Sequence, residues 1–567
     1  MPNSCTTKSI ASDRAWFFWA IAFVLLKLWL IAHLPIRASN AGYDNLRYVI
    51  LAQNFLQPPH AYDSFVLVRQ PGYPFFILLS YYLGIPLRFA QEILYLASGC
   101  FLADALVRQY SAKLASRFLF VLYTFAPFSF HWNRQTLQEV LYLPLTAVIF
   151  GCIIHLLTAK TDRSLLGWSL FLGFVLAWFW NTRLEGVWIL PAIVLTYLFL
   201  LLAKIDWRRY LWKGSRLSIL PFRGFYEGKR LALRSFCFQS IGLSIACIFL
   251  PVIFVTSSIS LANFLQYGLY DTNDLKSAGF QAAYTSLTRV SPQRWQPMVA
   301  VPQATREEIY AVSPSFRKLK PMLETANSWK AESCRSGVCQ DYAAGLFFWA
   351  FREAVVQAGY YQSVPQTEAF YFQIAREVKE ACTLHKLSCR GTQRLVFFPQ
   401  IHAEYVRPFL QSIGVLGDRL LDSSLILKLD SGVEDEKFRQ HYYSKITREK
   451  ANFFQERTLE INQFKDRVIV LISKIYQWCF PILLGWSAIG IGMAMGTPSL
   501  GRSLPLYLFI LALCCIGVRI LLVAYIDVTS WSVGEGDRYL RPVLPMLWLM
   551  MGVGSQYGMQ RCDRWRG

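Results

Sequence analysis

The stretch AWFFWAIAFVLLKLWLIAHL, Ala15 to Leu34, decides the class of fold. A helix crosses the hydrocarbon core of a bilayer with roughly 20 apolar residues, and this run supplies them, interrupted by Lys27. It lacks a small-residue cleavage site at its end, so a retained first helix is expected and not a removed signal peptide. Composition agrees. The 567 residues are 54% hydrophobic and 16% aromatic, with 16% charged, where soluble domains carry about a quarter charged. The chain reads as an all-α polytopic membrane protein.

The formal charge of +21 would suit nucleic acid, but its placement points elsewhere. Lys204, Arg208, Arg209, Lys213, Arg216, Arg223, Lys229, Arg230 and Arg234 crowd one loop against Asp206 and Glu227. Short basic loops between apolar runs mark the cytoplasmic face, with some affinity for anionic headgroups. About ten spans are expected, near 15–35, 89–107, 116–131, 138–158, 164–181, 186–203, 236–256, 467–494, 504–526 and 541–558. With the N-terminus inside, every cytoplasmic loop is basic. The piece Phe75 to Ile85 is too short to span and is read as re-entrant or juxtamembrane. The expected place is the cell (cytoplasmic or inner) membrane, with the large loop on the extracytoplasmic side.

Next to the first span stands YDNLRYVILAQNFLQPPHAYDSFVLVRQPGY, Tyr43 to Tyr73. Asp44 lies just past the membrane boundary. Leu46, Val49, Ile50 and Phe55 recur at helical spacing and predict a surface helix. Asp44 also has the ordinary reading of a helix N-cap. The orientation brings Asp44, Arg69, Asn133, Arg134, Glu139, Arg183, Glu185, Asp537, Arg538 and Arg541 to the outer ends of the spans. Each has a bland alternative: Glu139 paired with Arg134, Arg183 with Glu185, Asp537 with Arg538. Charges at membrane depth are a functional-site hypothesis by default, and the whole set on one side favours a site. The middles of the spans are read as apolar apart from Lys27 and His155.

Three segments are expected: 1–256, an N-terminal membrane domain with its first outer loop at 36–88; 257–465, an extracytoplasmic soluble domain; and 466–567, the last transmembrane helices. Thr305 to Leu319, Leu346 to Ala358 and Thr367 to Leu384 have helical periodicity, so the insertion is expected to be mainly helical. Cys334 with Cys339 and Cys382 with Cys389 suit two disulfides in an oxidising exterior. A zinc site is the alternative, with His385 inside the second pair, although the spacings match zinc knuckles poorly. The chain has no phosphate-binding glycine loop, dinucleotide fingerprint, H-E-x-x-H or nucleophile elbow.

Asp44, Tyr48, Ala52 and Phe55-Leu56, followed by Arg69-Gln70-Pro71-Gly72-Tyr73-Pro74, resemble the first outer loop of the GT-C membrane glycosyltransferases. The branch is that of the protein O-mannosyltransferases and the aminoarabinose transferase of lipid A. Gln138-Glu139, Arg183-Leu184-Glu185-Gly186 and Asp537-Arg538-Tyr539-Leu540-Arg541-Pro542 resemble later motifs of that family. The likeness covers roughly 15–200 and 505–560 and leaves out 257–465. Asn45 stands where many relatives carry a second acidic residue, which puts a bound divalent cation in doubt.

The resemblance implies a polyprenyl-phosphate sugar as donor and a glycan, lipid or protein hydroxyl as acceptor. It implies Asp44 as base, Glu139 as a second catalytic residue that orients the acceptor or helps place a metal, and Arg69, Gln70, Tyr73, Arg183, Glu185, Arg538, Tyr539 and Arg541 around the substrate. A divalent cation is the only cofactor it suggests, and single displacement implies inversion. A transporter or flippase for a lipid-linked glycan is the other reading, and a non-catalytic assembly protein a third. Charges gathered at one end of apolar spans favour surface chemistry over passage.

Overall fold

The computed structural model describes residues 4–34, 36, 44–56, 61–110, 113–183, 185–202, 238–391, 402–422, 445–449, 459–495, 504–532 and 537–566. No strand forms among them, and an isolated antiparallel bridge joins Val290 to Cys389. The helices of eight residues or more are α1 (Ser4–Ile31), α2 (Asp44–Asn54), α3 (Gly72–Tyr82), α4 (Leu87–Tyr110), α5 (Lys113–Thr124) and α6 (Glu139–Leu157). They continue with α7 (Asp162–Trp180), α8 (Leu190–Leu202), α9 (Phe238–Tyr267), α10 (Ala278–Arg289), α11 (Gln303–Val312) and α12 (Ser328–Arg335). The last are α13 (Ala344–Gln357), α14 (Val364–Thr383), α15 (Val406–Leu421), α16 (Glu460–Met495), α17 (Leu504–Thr529) and α18 (Leu544–Arg566).

Six helices among the described residues are long and apolar enough to cross a membrane: Leu87–Arg108, Glu139–Leu157, Asp162–Trp180, Phe238–Tyr267, Glu460–Met493 and Leu506–Thr529. Trp16–Ile31 and Gly186–Leu201 are shorter apolar helices at two further expected spans. The expected span at 116–131 is cut short. α5 ends at Thr124 and Pro127 follows, a residue that cannot continue a helix without losing a backbone bond. α18 starts apolar and ends in the charged run Arg561 to Arg566. α3 fills the re-entrant piece. At 1.5 Å per residue its 11 residues are too short to cross.

The spans pack through small residues. A Cβ on Gly173 of α7 would stand 2.6 Å from the Ile248 carbonyl oxygen of α9, so glycine there lets two backbones touch. Outward-facing Phe249, Leu250, Ile253 and Phe254 of α9 are exposed, as a lipid-facing stripe must be.

The insertion has a core of its own, built on Phe280, Tyr284, Phe316, Phe347, Phe351 and Tyr371. Its helices start where the sequence offers caps: Ser277, Ser313, Asn327 and Ser363 each accept the N–H three residues on. The expected helical stretch Thr305–Leu319 is broken at Pro314 into Gln303–Val312 and Pro314–Arg317. Disulfides join Cys334 to Cys339 and Cys382 to Cys389. At either end a helix runs through the expected boundaries at 257 and 465. α9 runs on to Tyr267, and α16 begins at Glu460. α15 packs with the membrane core, where Leu416 and Leu420 are buried, and Ser412 Oγ donates to Asp527 Oδ2 of α17 at 2.7 Å.

The insertion body grips the membrane part at two places. Arg352 of α13 donates to the Ser64 carbonyl at 2.7 Å, and the Asp274 N–H to the Leu67 carbonyl at 2.9 Å. At the start of α13 the Gly345 N–H donates to the Ser530 carbonyl at 2.8 Å.

Candidate active site

Three chain segments far apart in sequence meet at one place. α7 ends at Trp180, and Asn181 holds the turn after it, donating to the Ala177 carbonyl at 2.8 Å and to Thr256 Oγ1 at 3.1 Å. The Gly72 N–H donates to the Asn181 carbonyl at 2.8 Å. A Cβ on Gly72 would lie 2.6 Å from that oxygen and 2.5 Å from Thr182 Oγ1, so only glycine fits the Pro71-Gly72 turn. This close approach brings the start of α3 against the loop that carries Arg183 and Glu185.

Arg183 Nη1 donates to Glu139 Oε1 at 2.7 Å, and Nη2 pairs with Glu185 Oε1 at 3.0 Å. Arg519, in the middle of α17, reaches the same Glu185 oxygen with Nη2 at 2.6 Å and donates through Nε to the Tyr539 carbonyl at 2.8 Å. Arg538 Nε stands 3.9 Å from Glu139 Oε1, and its Nη2 donates to the Tyr539 hydroxyl at 2.6 Å. The Arg183 guanidinium also lies over the Tyr539 ring, 5.1 Å from its centre. Burial alone would push the Glu185 carboxyl up. The Arg183 and Arg519 guanidiniums and the hydrogen bonds they donate overcome this and hold it down at about 2.

Arg183, Arg519 and Arg538 face Glu139 and Glu185, so the cluster carries an excess positive charge. It is also incomplete. Glu139 Oε2 and Arg519 Nη1 are buried without a hydrogen-bond partner among the described residues. Buried polar atoms are nearly always partnered, so these two atoms are ones a bound polar molecule would satisfy; Gln70, two residues before Gly72, has both its amide atoms in the same condition. Such a cluster is suited to an anion with oxygen atoms to share between guanidiniums.

Against the segment 537–543 lies a mostly apolar cleft of about 50 Å³, lined by Phe128, Tyr476, Phe480, Leu544 and Trp548 and also by Arg419 and Asp422. Arg541 belongs to this wall. Its guanidinium stands over Trp132, 4.3 Å from the ring centre, and over Phe128 at 5.1 Å. Arg538 and Arg541, three residues apart, therefore face an ion cluster and a greasy slot.

The remaining expected site residues are scattered. Arg69 lies over the Trp349 ring of the insertion at 4.1 Å. Tyr73 is fully buried and its hydroxyl donates to Gln91 Oε1 at 2.5 Å. Asn133 donates to Glu92 Oε2 at 2.9 Å, and Arg134 Nε to the Phe130 carbonyl at 2.7 Å. Of the alternative pairings, Arg183–Glu185 forms, while Glu139 takes Arg183 as its partner. Asp44 opens α2, but its side chain and that of Asp537 lie outside the described residues. Among the described residues no group of three His, Cys, Asp or Glu could hold a metal ion.

The reading of span middles as apolar needs correction. Besides Lys27 and His155, Glu92 of α4 and Arg519 of α17 sit inside spans and are buried. Lys27 Nζ lies 3.8 Å from Glu92 Oε1 and donates to Ser129 Oγ at 2.6 Å. The signal was present: an ionisable residue inside an apolar run requires a partner.

No protein-family profile matches the chain, and neither does any curated protein. A solved structure, ArnT from Cupriavidus metallidurans in the apo state, is similar at 12% identity and a TM-score of 0.31, over 97% of this chain and 78% of that one.

Proposed function

We propose that this protein is a membrane glycosyltransferase of the GT-C type, moving a sugar from a polyprenyl-phosphate donor to an acceptor hydroxyl at the outer face of the membrane. One observation supports this more than any other: the segment 537–543 carries Arg538 into an incomplete ion cluster and Arg541 into an aromatic, apolar cleft. A molecule with a phosphate at the head of a long hydrocarbon asks for that pair of surroundings.

In the proposed reaction the acceptor oxygen attacks the anomeric carbon and Asp44 takes its proton. The bond from the anomeric carbon to the phosphate oxygen breaks, and the phosphate leaves with the electron pair, giving inversion. The leaving group is a stable anion, so the chain supplies fixed positive charge, from Arg538 and Arg541, in place of a strong general acid. Arg183 holds Glu139 with one Oε toward itself and the other unpartnered, which leaves that oxygen to accept a sugar or acceptor hydroxyl.

Transport of a lipid-linked glycan gains one point from the charges inside apolar helices, Lys27, Glu92 and Arg519. Each of them, however, is engaged with another side chain or carbonyl. The two readings separate in an assay of purified protein in lipid with radiolabelled polyprenyl-phosphate sugars and envelope acceptors. Transfer with release of polyprenyl phosphate supports the enzyme, and movement of intact donor across the bilayer supports transport. Asp44→Asn is expected to abolish transfer while leaving the thermal transition in place. A variant that retains most of its rate removes Asp44 as the base.

A further inference from the structure

α15 is an amphipathic helix with an unexpected distribution of apolar residues. Phe409, Ile413, Leu416 and Leu420 form the stripe that packs with the membrane core. Val406, Leu410 and Leu421 fall beside that stripe at 100° per residue and are 55%, 63% and 45% exposed. In the rest of the insertion, residues 275–391, the large hydrophobics that stand exposed are Phe372 and Leu384. The insertion body keeps its apolar side chains inside, as a domain in water does. α15, within the same insertion, follows the pattern of the spans.

Its surroundings say what covers this face. Leu420, Arg419 and Asp422 at the end of α15 share a cleft with Tyr476 and Phe480, near the middle of the 36-residue α16. At that level α16 turns Ile475, Trp478 and Ile482 outward, and these are 53%, 77% and 68% exposed on a helix long and apolar enough to span. The C-terminal end of α15 thus stands beside a spanning helix at a level where that helix turns apolar side chains outward. Arg407, Gln411 and Asp418 occupy the sector opposite the buried stripe and next to the flank that carries Val406, Leu410 and Leu421, and Val415, 51% exposed, lies on the far side of them. Apolar and polar sectors side by side are the pattern of helices that lie in the bilayer interface.

We propose that α15 is a membrane-embedded interfacial helix whose Val406, Leu410 and Leu421 lie in bilayer hydrocarbon, so that the insertion returns to the lipid before α16 begins. The occupant of the face is phospholipid. The inference stands independently of the glycosyl-transfer reading.

The test places a nitroxide at Leu410→Cys in full-length protein reconstituted in phosphatidylcholine vesicles, in a chain whose cysteines outside the two disulfides are serine. Trp478→Cys serves as the lipid reference and Leu384→Cys as the water reference. Collision with oxygen is expected to be high and collision with a water-soluble nickel chelate low, matching Trp478→Cys. Nickel collision matching Leu384→Cys places the face in water and overturns the proposal. Low collision with both reagents places it under protein and also overturns it. Should the serine background fail to fold, benzoylphenylalanine at position 410 in the chain with its own cysteines gives a second readout. Irradiation is expected to yield phospholipid adducts, and adducts confined to protein overturn the proposal.

Discussion

Two buried arginines, one in each half of the molecule, show how similar chemistry is put to different ends. In the insertion, Arg306 donates Nε and Nη2 to the two oxygens of Glu324 at 2.7 and 2.9 Å, and Nη1 to Asp341 at 2.6 Å and to the Val301 carbonyl at 2.8 Å. Every nitrogen is answered. In the membrane part, Arg519 binds Glu185 and the Tyr539 carbonyl, yet its Nη1 is unanswered among the described residues, as is Glu139 Oε2 nearby. A closed network holds a fold together. An open one, at similar burial, keeps donors and acceptors in place for something that arrives later.

The largest effect expected from this contrast is on Arg306. Arg306→Ala takes from Glu324 and Asp341 the guanidinium they share, leaving Lys330 Nζ 3.6 Å from Glu324 Oε2 as the remaining cation, and breaking such a buried group costs about 3–5 kcal/mol. Thermal unfolding followed by tryptophan fluorescence is expected to show the insertion melting early. An unchanged transition would mean that the network contributes no more than an exposed pair. Arg538→Ala is the counterpart in the open cluster. Transfer is expected to fall by roughly 100-fold, as for loss of one preorganised donor, while the thermal transition stays put. Arg538→Lys should recover part of the rate, since charge returns without the planar fork. A rate loss matched by a stability loss would close the distinction between the two networks.

A smaller effect is expected where the halves touch. Arg69 over Trp349 is a cation–π contact of about 0.5–2 kcal/mol, and a double-mutant cycle of Arg69→Gln with Trp349→Leu should return a coupling of that size. The smallest is the response to pH. Glu185 is held at about 2, below the ordinary 4.5 of a glutamate, so its contribution is complete above pH 4.5 and disappears as the pH falls toward 2. Acid titration of Arg519→Met, which removes one of its two guanidinium partners, should move that loss to higher pH.

Much of the fold was legible because it is local. Apolar runs, caps such as Ser277 and Asn327, and cysteines a few residues apart are settled by neighbours along the chain. Much of the cluster was legible too, since Glu139, Arg183, Glu185 and Arg538 stand at span ends where charge is conspicuous. What escaped depends on distant partners. Arg519 meets Glu185 across 334 positions, and Glu92 meets Lys27 from another helix. Neither pairing has a signature in one sequence. Arg69 also has a distant neighbour that one sequence does not announce: the ring of Trp349, supplied by the insertion, lies under its guanidinium.

The grip of α13 has a mechanical consequence. Its first turn is tied to Ser530, next to Trp531, whose ring meets Tyr539 edge-on at 6.1 Å, and its third turn is tied to Ser64, upstream of Gln70 and Gly72. One helix is thus tied both to the segment that leads to Tyr539 and to the loop that leads to Gln70. A displacement of α13 would be passed to Trp531 and Tyr539 through one tie and to the loop before Gln70 through the other, so two chain segments near opposite ends of the sequence would feel one movement.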